Sequence, residues 1–127
     1  MTEIEFLNID LDIESIEDLS PIIQEWTGKL CLLRYDEYNG IYYASFETGF
    51  SQIEDIIGEY VSLIDSLSPK AKAIWDKAIK RDFNFGYESG TCPNNFRSHI
   101  KSDSVKELAR VGGNIIVTIY PFFHENE

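Results

Sequence analysis

Apolar and polar residues alternate along several segments of the chain, which is the pattern of half-buried β-strands. The first predicted strand, residues 4–13, directs leucine and isoleucine side chains to one face and acidic side chains to the other. Asn39-Gly40 supplies the positive φ angles of a tight hairpin turn between two later strands. The other predicted strands cover residues 29–35, 40–47, 81–89, 96–100 and 114–120.

Four segments follow a period of about 3.6 residues instead, which is typical of amphipathic helices. The clearest of them, residues 51–67, opens with Ser51 and Glu54 at the spacing of a capping box and keeps an unbroken apolar stripe. The other three predicted helices run from Ser20 to Gly28, from Pro69 to Ile79, and over residues 103–111.

The order β-α-β-β-α-α-β-(β)-α-β predicts an α+β fold with a mixed β-sheet and helices packed mainly on one face. The segments GKLCLLRY (28–35) and GNIIVTIY (113–120) match in their glycine, alternate apolar positions and final tyrosine. This match suggests duplicated β-α-β units. With 127 residues and 43% hydrophobic content, the chain is predicted to form a single domain over residues 1–127.

The composition also bears on where the protein works. No segment has the roughly 18 consecutive apolar residues of a membrane span, and the acidic start of the chain is unlike a signal peptide. We therefore expect a cytoplasmic protein with no membrane partner. Cys31 and Cys92 are then expected to be reduced thiols.

Charge is the most informative bulk property. The net charge is −11, and residues 1–65 hold 15 of the 22 acidic residues but only Lys29 and Arg34 of the 11 basic ones. Phosphates would be repelled by such a surface, so nucleic-acid binding is not expected. A basic protein partner is favoured, although acidity can also serve solubility alone.

The acidic face of the first strand is the main candidate site. Asp10, Asp12 and Glu14 share that face, and residues Asp82, Asn84 and Glu88 would join them if the strand at 81–89 lies nearby. Four interpretations are open: solvated strand residues, a docking surface for a basic protein, a divalent-metal site, and a carboxylate pair for acid–base hydrolysis. The segment DLDIES lacks the glycine and the ligand spacing of a calcium loop.

Sequence motifs for other chemistry are absent: the chain has no phosphate-binding loop, no HExxH, no CxxC and no GxSxG. The sequence therefore predicts a protein that is not an enzyme, with no cofactor and no metal; the alternative is a metal- or small-ligand-binding domain, or a hydrolase, that uses the acidic face. Exposed tyrosine beside carboxylates is typical of a protein interface. The predicted partner-binding residues are Asp10, Asp12, Glu14, Glu17, Asp18, Asp36, Glu37 and Tyr38, with Glu54, Asp55 and Glu59 on the long helix as the other surface.

The segments DLSPIIQ, IWDKA, FNFGYESG and ELARVGGNIIVTIYP resemble a group of small, standalone, mostly uncharacterised bacterial α+β proteins. Those proteins end in a Leu-Ala-x-x-Gly helix terminus and an Ile-Tyr-Pro strand. In size, acidity and lack of a catalytic motif, the chain is also similar to immunity proteins of bacterial toxin systems, including contact-dependent growth inhibition. That similarity implies a cytoplasmic protein that neutralises a basic toxin, such as a nuclease, by covering its active surface.

Overall fold

Alternating strands and amphipathic helices build a single sheet with a helical layer in the computed structural model, which describes residues 2–92 and 94–122. In this part of the chain there are five strands and four helices. Their bounds are β1 Glu5–Ser15, α1 Ser20–Trp26, β2 Cys31–Tyr38, β3 Ile41–Glu47, α2 Ile53–Asp65, α3 Pro69–Lys77, β4 Lys80–Glu88, α4 Ser102–Arg110 and β5 Asn114–Tyr120.

The strand order in the sheet is β2-β3-β1-β4-β5. Strand β1 is antiparallel to β3 and to β4, whereas β4 and β5 are parallel. The mixed sheet confirms the predicted α+β fold. The unit β4-α4-β5 joins adjacent parallel strands, but β3 lies between β1 and β2 in the first half of the chain, so the two halves are arranged differently.

Local sequence patterns predicted most of the helices and strands correctly. The predicted hairpin turn is confirmed by φ angles of 53° at Asn39 and 82° at Gly40. Two local predictions are wrong. Residues 96–100 form no strand. Helix α2 begins at Ile53 with Gln52, not Ser51, at the N-cap position, and it has no side-chain cap, while the Glu54 carboxylate accepts hydrogen bonds at the start of α4.

The core lies between the helices and one face of the sheet. Phe46, Phe83 and Trp26 are buried there, and Trp26 packs edge-on against Phe46 with ring centroids 5.0 Å apart. The buried Tyr60 hydroxyl of α2 donates to the Ile9 carbonyl at 2.9 Å and contacts the Phe46 carbonyl at 3.0 Å. Because these two carbonyls belong to β1 and β3, Tyr60 ties the long helix to the centre of the sheet.

Gly86 lies at an irregularity in the pairing between β1 and β4. The register between β1 and β4 shifts between Phe6 and Asn8, opposite Gly86. A Cβ atom on Gly86 would lie 3.4 Å from the Cε2 atom of Tyr120 on β5. The Tyr120 ring thus lies within van der Waals range of the β4 backbone at the irregularity.

Two further predictions concern the thiols and the membrane. Cys31 and Cys92 are both free, with Cys31 exposed on β2. Within residues 2–92 and 94–122, every helix is too short or too polar to cross a lipid bilayer.

Candidate functional site

The acidic side chains of β1 lie on the face of the sheet opposite the core, because Ile9, Leu11 and Ile13 fill the other face. The register with β4 sets Asp10 opposite Asn84, Asp12 opposite Asp82, and Glu14 opposite Lys80. The two strands are therefore neighbours, which is the condition under which Asp82 and Asn84 join the face of Asp10, Asp12 and Glu14. Glu88 pairs with Glu5 at the far end of the strand, beyond the bulge.

Strand β3 adds a carboxylate that the sequence prediction missed. Ala44 and Phe46 are buried on the core side, so Ser45 and Glu47 share the open face with β1. The Asn8 side chain donates to Glu47 at 3.0 Å. The acidic face is defined here by five side chains: Asp10, Asp12, Glu14, Glu47 and Asp82.

Most of these carboxylates are held by neutral donors. Ser45 Oγ donates to Asp12 at 2.7 Å, and Asn114 Nδ2 donates to Asp82 at 3.0 Å. Such donors orient a carboxylate without neutralising it. Lys80 forms an ion pair with Glu14 at 3.0 Å and offsets one of the five charges.

Arg34 lies at the margin of the acidic face, on the edge strand β2. Its guanidinium pairs with Asp36 and stands 5.2 Å from the centroid of the Tyr43 ring. This cation is therefore already engaged. A groove of about 310 Å³ crosses the face beside it, and its lining includes Asp12, Glu14, Asp82, Arg34, Lys80 and Tyr43.

Asp10 occupies the centre of the negative charge. Its Oδ1 atom is buried and has no hydrogen-bond partner among the described residues. Burial, followed by the charges of Asp12 and Glu47, raises the pKa of Asp10 to about 6 from its ordinary 3.8. The ionised carboxylate is thus destabilised first by burial and then by the neighbouring negative charges, and a nearby cation would offset that penalty.

Replacement of Asp10 by asparagine is expected to stabilise the protein at neutral pH. Between pH 3.8 and 6 the folded chain binds the proton of Asp10 more tightly than the unfolded chain does. The contribution of Asp10 to the free energy of unfolding is therefore highest at low pH and is lost as the pH rises through 6. After allowance for solvent screening, we expect Asp10→Asn to gain about 1 kcal/mol at pH 7.5. The gain should vanish near pH 3, below the ordinary pKa of 3.8, where the carboxyl group is protonated in both the folded and the unfolded chain. Urea unfolding of both proteins at the two pH values measures it, and a gain independent of pH would contradict this origin.

Three of the other predicted binding residues lie near the loops, away from the acidic face. Asp18 accepts hydrogen bonds from the Tyr35 hydroxyl and from Ser20, which lower the pKa of Asp18. The Glu37 carboxylate accepts from the Gly40 amide at 2.8 Å and closes the hairpin turn. Both carboxylates therefore have structural roles, while Glu17 is exposed beside α1.

Asp36 and Tyr38 occupy the outer edge of the sheet. Both are exposed on β2, and Tyr38 is the last residue of that strand, with 69% of its surface accessible. The alternation of β2 sets both side chains on the same side as Arg34. They can extend the acidic face at its margin.

The helical surface is separate from the acidic face, because it lies on the other side of the sheet. Burial tends to raise the pKa of Glu54, but hydrogen bonds from the Ser104 hydroxyl and the Lys101 amide lower it overall and fix the start of α4. Asp65 and Glu107 both pair with Arg110, beside a groove of about 500 Å³ between α2 and α4. Asp55 is exposed and Glu59 is partly buried on α2. Glu54, Asp65 and Glu107 on this surface therefore already have partners within the fold.

The described residues contain no group of three or more histidine, cysteine, aspartate or glutamate side chains arranged to hold a metal ion. Comparison with protein-family models, curated proteins and solved structures finds no match. The chemistry of the acidic face is therefore the basis for inferring a function.

Proposed function

We propose that this chain is a protein-binding module that uses the acidic face to hold a basic protein. The observation that carries the proposal is the gathering of five carboxylates on the uncovered side of the sheet, around an Asp10 whose Oδ1 lacks a partner. Lysine or arginine side chains of a partner would remove the mutual repulsion at this point. Complementary charge of this kind also speeds association and selects among partners.

The two sides of the molecule differ in how their carboxylates are held. On the helical surface Arg110 pairs with both Asp65 and Glu107 and offsets one of their two charges, and Glu54 accepts hydrogen bonds at the start of α4. On the acidic face, serine and asparagine donors hold Asp12, Glu47 and Asp82 without neutralising them. Among the described residues, the only buried side-chain polar atom without a partner is Oδ1 of Asp10, and this favours the acidic face over the helical surface as the docking site for a cationic partner.

The most specific form of the proposal is toxin immunity. A nuclease binds phosphates with lysine and arginine side chains, and a surface that attracts those side chains can cover the same site. The similarity in size and acidity to immunity proteins supports this form. Inhibition would then follow from occlusion and would need no chemistry by the chain itself.

The test compares two proteins that have lost the same number of charges. The first carries Asp10→Asn, Asp12→Asn and Glu14→Gln on the acidic face. The matched control carries Glu17→Gln, Asp55→Asn and Glu59→Gln, at positions off that face. Each immobilised protein is exposed to lysate of the source cell at low and at moderate salt, and retained proteins are identified by mass spectrometry.

We expect the wild type and the control to retain one basic protein from the lysate. Once this protein is purified, the acidic-face variant should bind it at least tenfold more weakly than the wild type does, a loss of about 1.4 kcal/mol in binding free energy. Affinity should fall as salt rises, because exposed charges are screened. For the immunity form, the retained protein must be toxic when expressed alone and harmless with the wild-type chain. Equal loss in both triple variants would refute the acidic face as the site.

A further inference from the structure

The two edges of the sheet are built differently. On β2 the register shifts at Leu33, between Leu32 and Arg34, and the strand exposes charged side chains. A bulge and charges of this kind prevent an edge strand from pairing with another chain. On β5 the register with β4 runs without a shift from Asn114 to Tyr120. That strand, NIIVTIY, contains no charge and no proline.

Strand β5 is also unusually exposed for such an apolar sequence. Ile115, Val117 and Ile119 pair with core residues of β4 and therefore face the helical side, yet Val117 and Ile119 are 58% and 60% accessible. On the opposite side of the strand, Ile116 is 40% accessible. Apolar exposure on both sides of an open edge is a strong signal for strand pairing.

The helical side of β5 continues into an apolar groove. Its volume is about 380 Å³, and Ile4, Tyr87, Phe96 and Ile100 line it together with Val117 and Ile119. The Phe96 ring stands edge-on to Tyr87 at 5.7 Å between centroids. A strand added beside β5 would cover the exposed side chains that border this groove.

We propose that β5 pairs with β5 of a second copy of this chain, antiparallel and centred on Val117, to form a continuous ten-stranded sheet across a two-fold axis. In that register Val117 faces its own copy, Ile115 faces Ile119, and Ile116 faces Thr118. Opposite residues of an antiparallel pair share a face, so Ile115, Val117 and Ile119 of both copies form one apolar row. The sequence of β5 is thus complementary to itself, as an interface between identical subunits requires.

Charge favours a second copy over a basic partner at this edge. Residues 94–122 hold four basic side chains and two acidic ones, and β5 itself has no carboxylate to attract a cation. The carboxylates of β2, β3 and β1 lie toward the other edge of the sheet. Pairing through β5 therefore joins the two least acidic ends and keeps the strongly acidic ends of the two copies apart.

The test is the oligomeric state of the purified chain, measured by sedimentation equilibrium from about 1 µM to about 200 µM. We expect the wild type to reach the mass of a dimer. Val117→Lys sets two ammonium groups opposite each other on the axis, and we expect it to weaken dimerisation at least tenfold. Leu33→Lys is the matched control on the other edge, where Leu33 is 47% accessible, and it should dimerise like the wild type.

A second variant controls for misfolding, and cysteine crosslinking tests the register of the paired strands. Ile119→Lys should also weaken the dimer while its circular dichroism spectrum matches the wild type.

In a background of Cys31→Ser and Cys92→Ser, Val117→Cys should form an intermolecular disulfide on oxidation, because the two-fold axis sets position 117 against itself. Ile116→Cys should not. A wild-type monomer at about 200 µM, or equal crosslinking at positions 116 and 117, would overturn the proposal.

Discussion

Trp75→Ala should remove about 3–5 kcal/mol from the free energy of unfolding, which is a large share of the total stability of a domain of this size. The Trp75 ring is fully buried on α3 and packs edge-on against Trp26 at 6.2 Å between centroids. Its Nε1 atom donates to the Val111 carbonyl at 2.9 Å, at the end of α4. The substitution therefore leaves a large cavity and an unpaired carbonyl together.

Arg81 explains why this effect should reach the start of β5. Its guanidinium stands 6.0 Å from the Trp75 ring and donates to the carbonyls of Gly112 and Trp75, each at 2.9 Å. Trp75 and Arg81 thus fasten the turn between α4 and β5 to α3 and β4. Loss of the ring should weaken protection from amide exchange in this turn as well as global stability.

Urea unfolding followed by the fluorescence of the remaining Trp26 measures the loss. Trp75→Phe is the informative comparison, because it keeps most of the aromatic volume and removes the Nε1 donor, and we expect a loss of about 1–3 kcal/mol. Ile79→Ala, at a side chain that is 52% accessible, should change stability by less than about 1 kcal/mol. Equal losses for the alanine and phenylalanine variants would contradict a packing role for the ring.

Gly113→Ala should cost about 1–3 kcal/mol, because the added methyl group has no room. A Cβ atom at Gly113 would lie 2.6 Å from Cδ2 of Phe83 and closer still to Cε2. The Phe83 ring cannot move aside easily, since it is fully buried and packs edge-on against Tyr60 at 5.5 Å. The close approach of the chain before β5 to the core therefore requires glycine.

A double-mutant cycle tests this reason directly. Phe83→Leu makes space beside position 113, so the pair Gly113→Ala and Phe83→Leu should be less destabilised than the sum of the two single variants. Gly58→Ala serves as the matched control, since a Cβ there meets nothing within 4 Å and the residue lies in α2. That change should add about 0.5–1 kcal/mol to stability. Strict additivity of the first pair would refute steric conflict with Phe83.

The fold could be predicted further from the sequence than the site could. Alternation revealed β1 and β4, and Asn39-Gly40 fixed the hairpin, because these signals act between neighbours in the chain. The hydrogen-bond partners of Glu54 could not be predicted in this way. Ser51 stands at capping-box spacing from it, but Glu54 instead binds Ser104 and Lys101, which are about fifty residues away.

The candidate site was incomplete for the same reason. Asp10, Asp12 and Glu14 are visible in the alternation of one strand, whereas Glu47 joins them only because β3 pairs with β1. Strand order depends on contacts between distant segments, which local periodicity does not encode. Asp18 and Glu37 looked equally available in the sequence, yet the structure engages both in local hydrogen bonds.

The central place of β1 also affects how the chain can fold during synthesis. Strand β1 is translated before every other strand, but Glu5 finds its partner only at Glu88. One edge of β1 pairs with β3 at residues 41–47, but the other edge must wait for β4, and pairings so distant in sequence form slowly. During this interval the hydrophobic row Ile9, Leu11 and Ile13 is uncovered. The interleaved carboxylates Asp10, Asp12 and Glu14 then repel other nascent chains, so the residues proposed to bind a partner also guard the unfinished protein against aggregation.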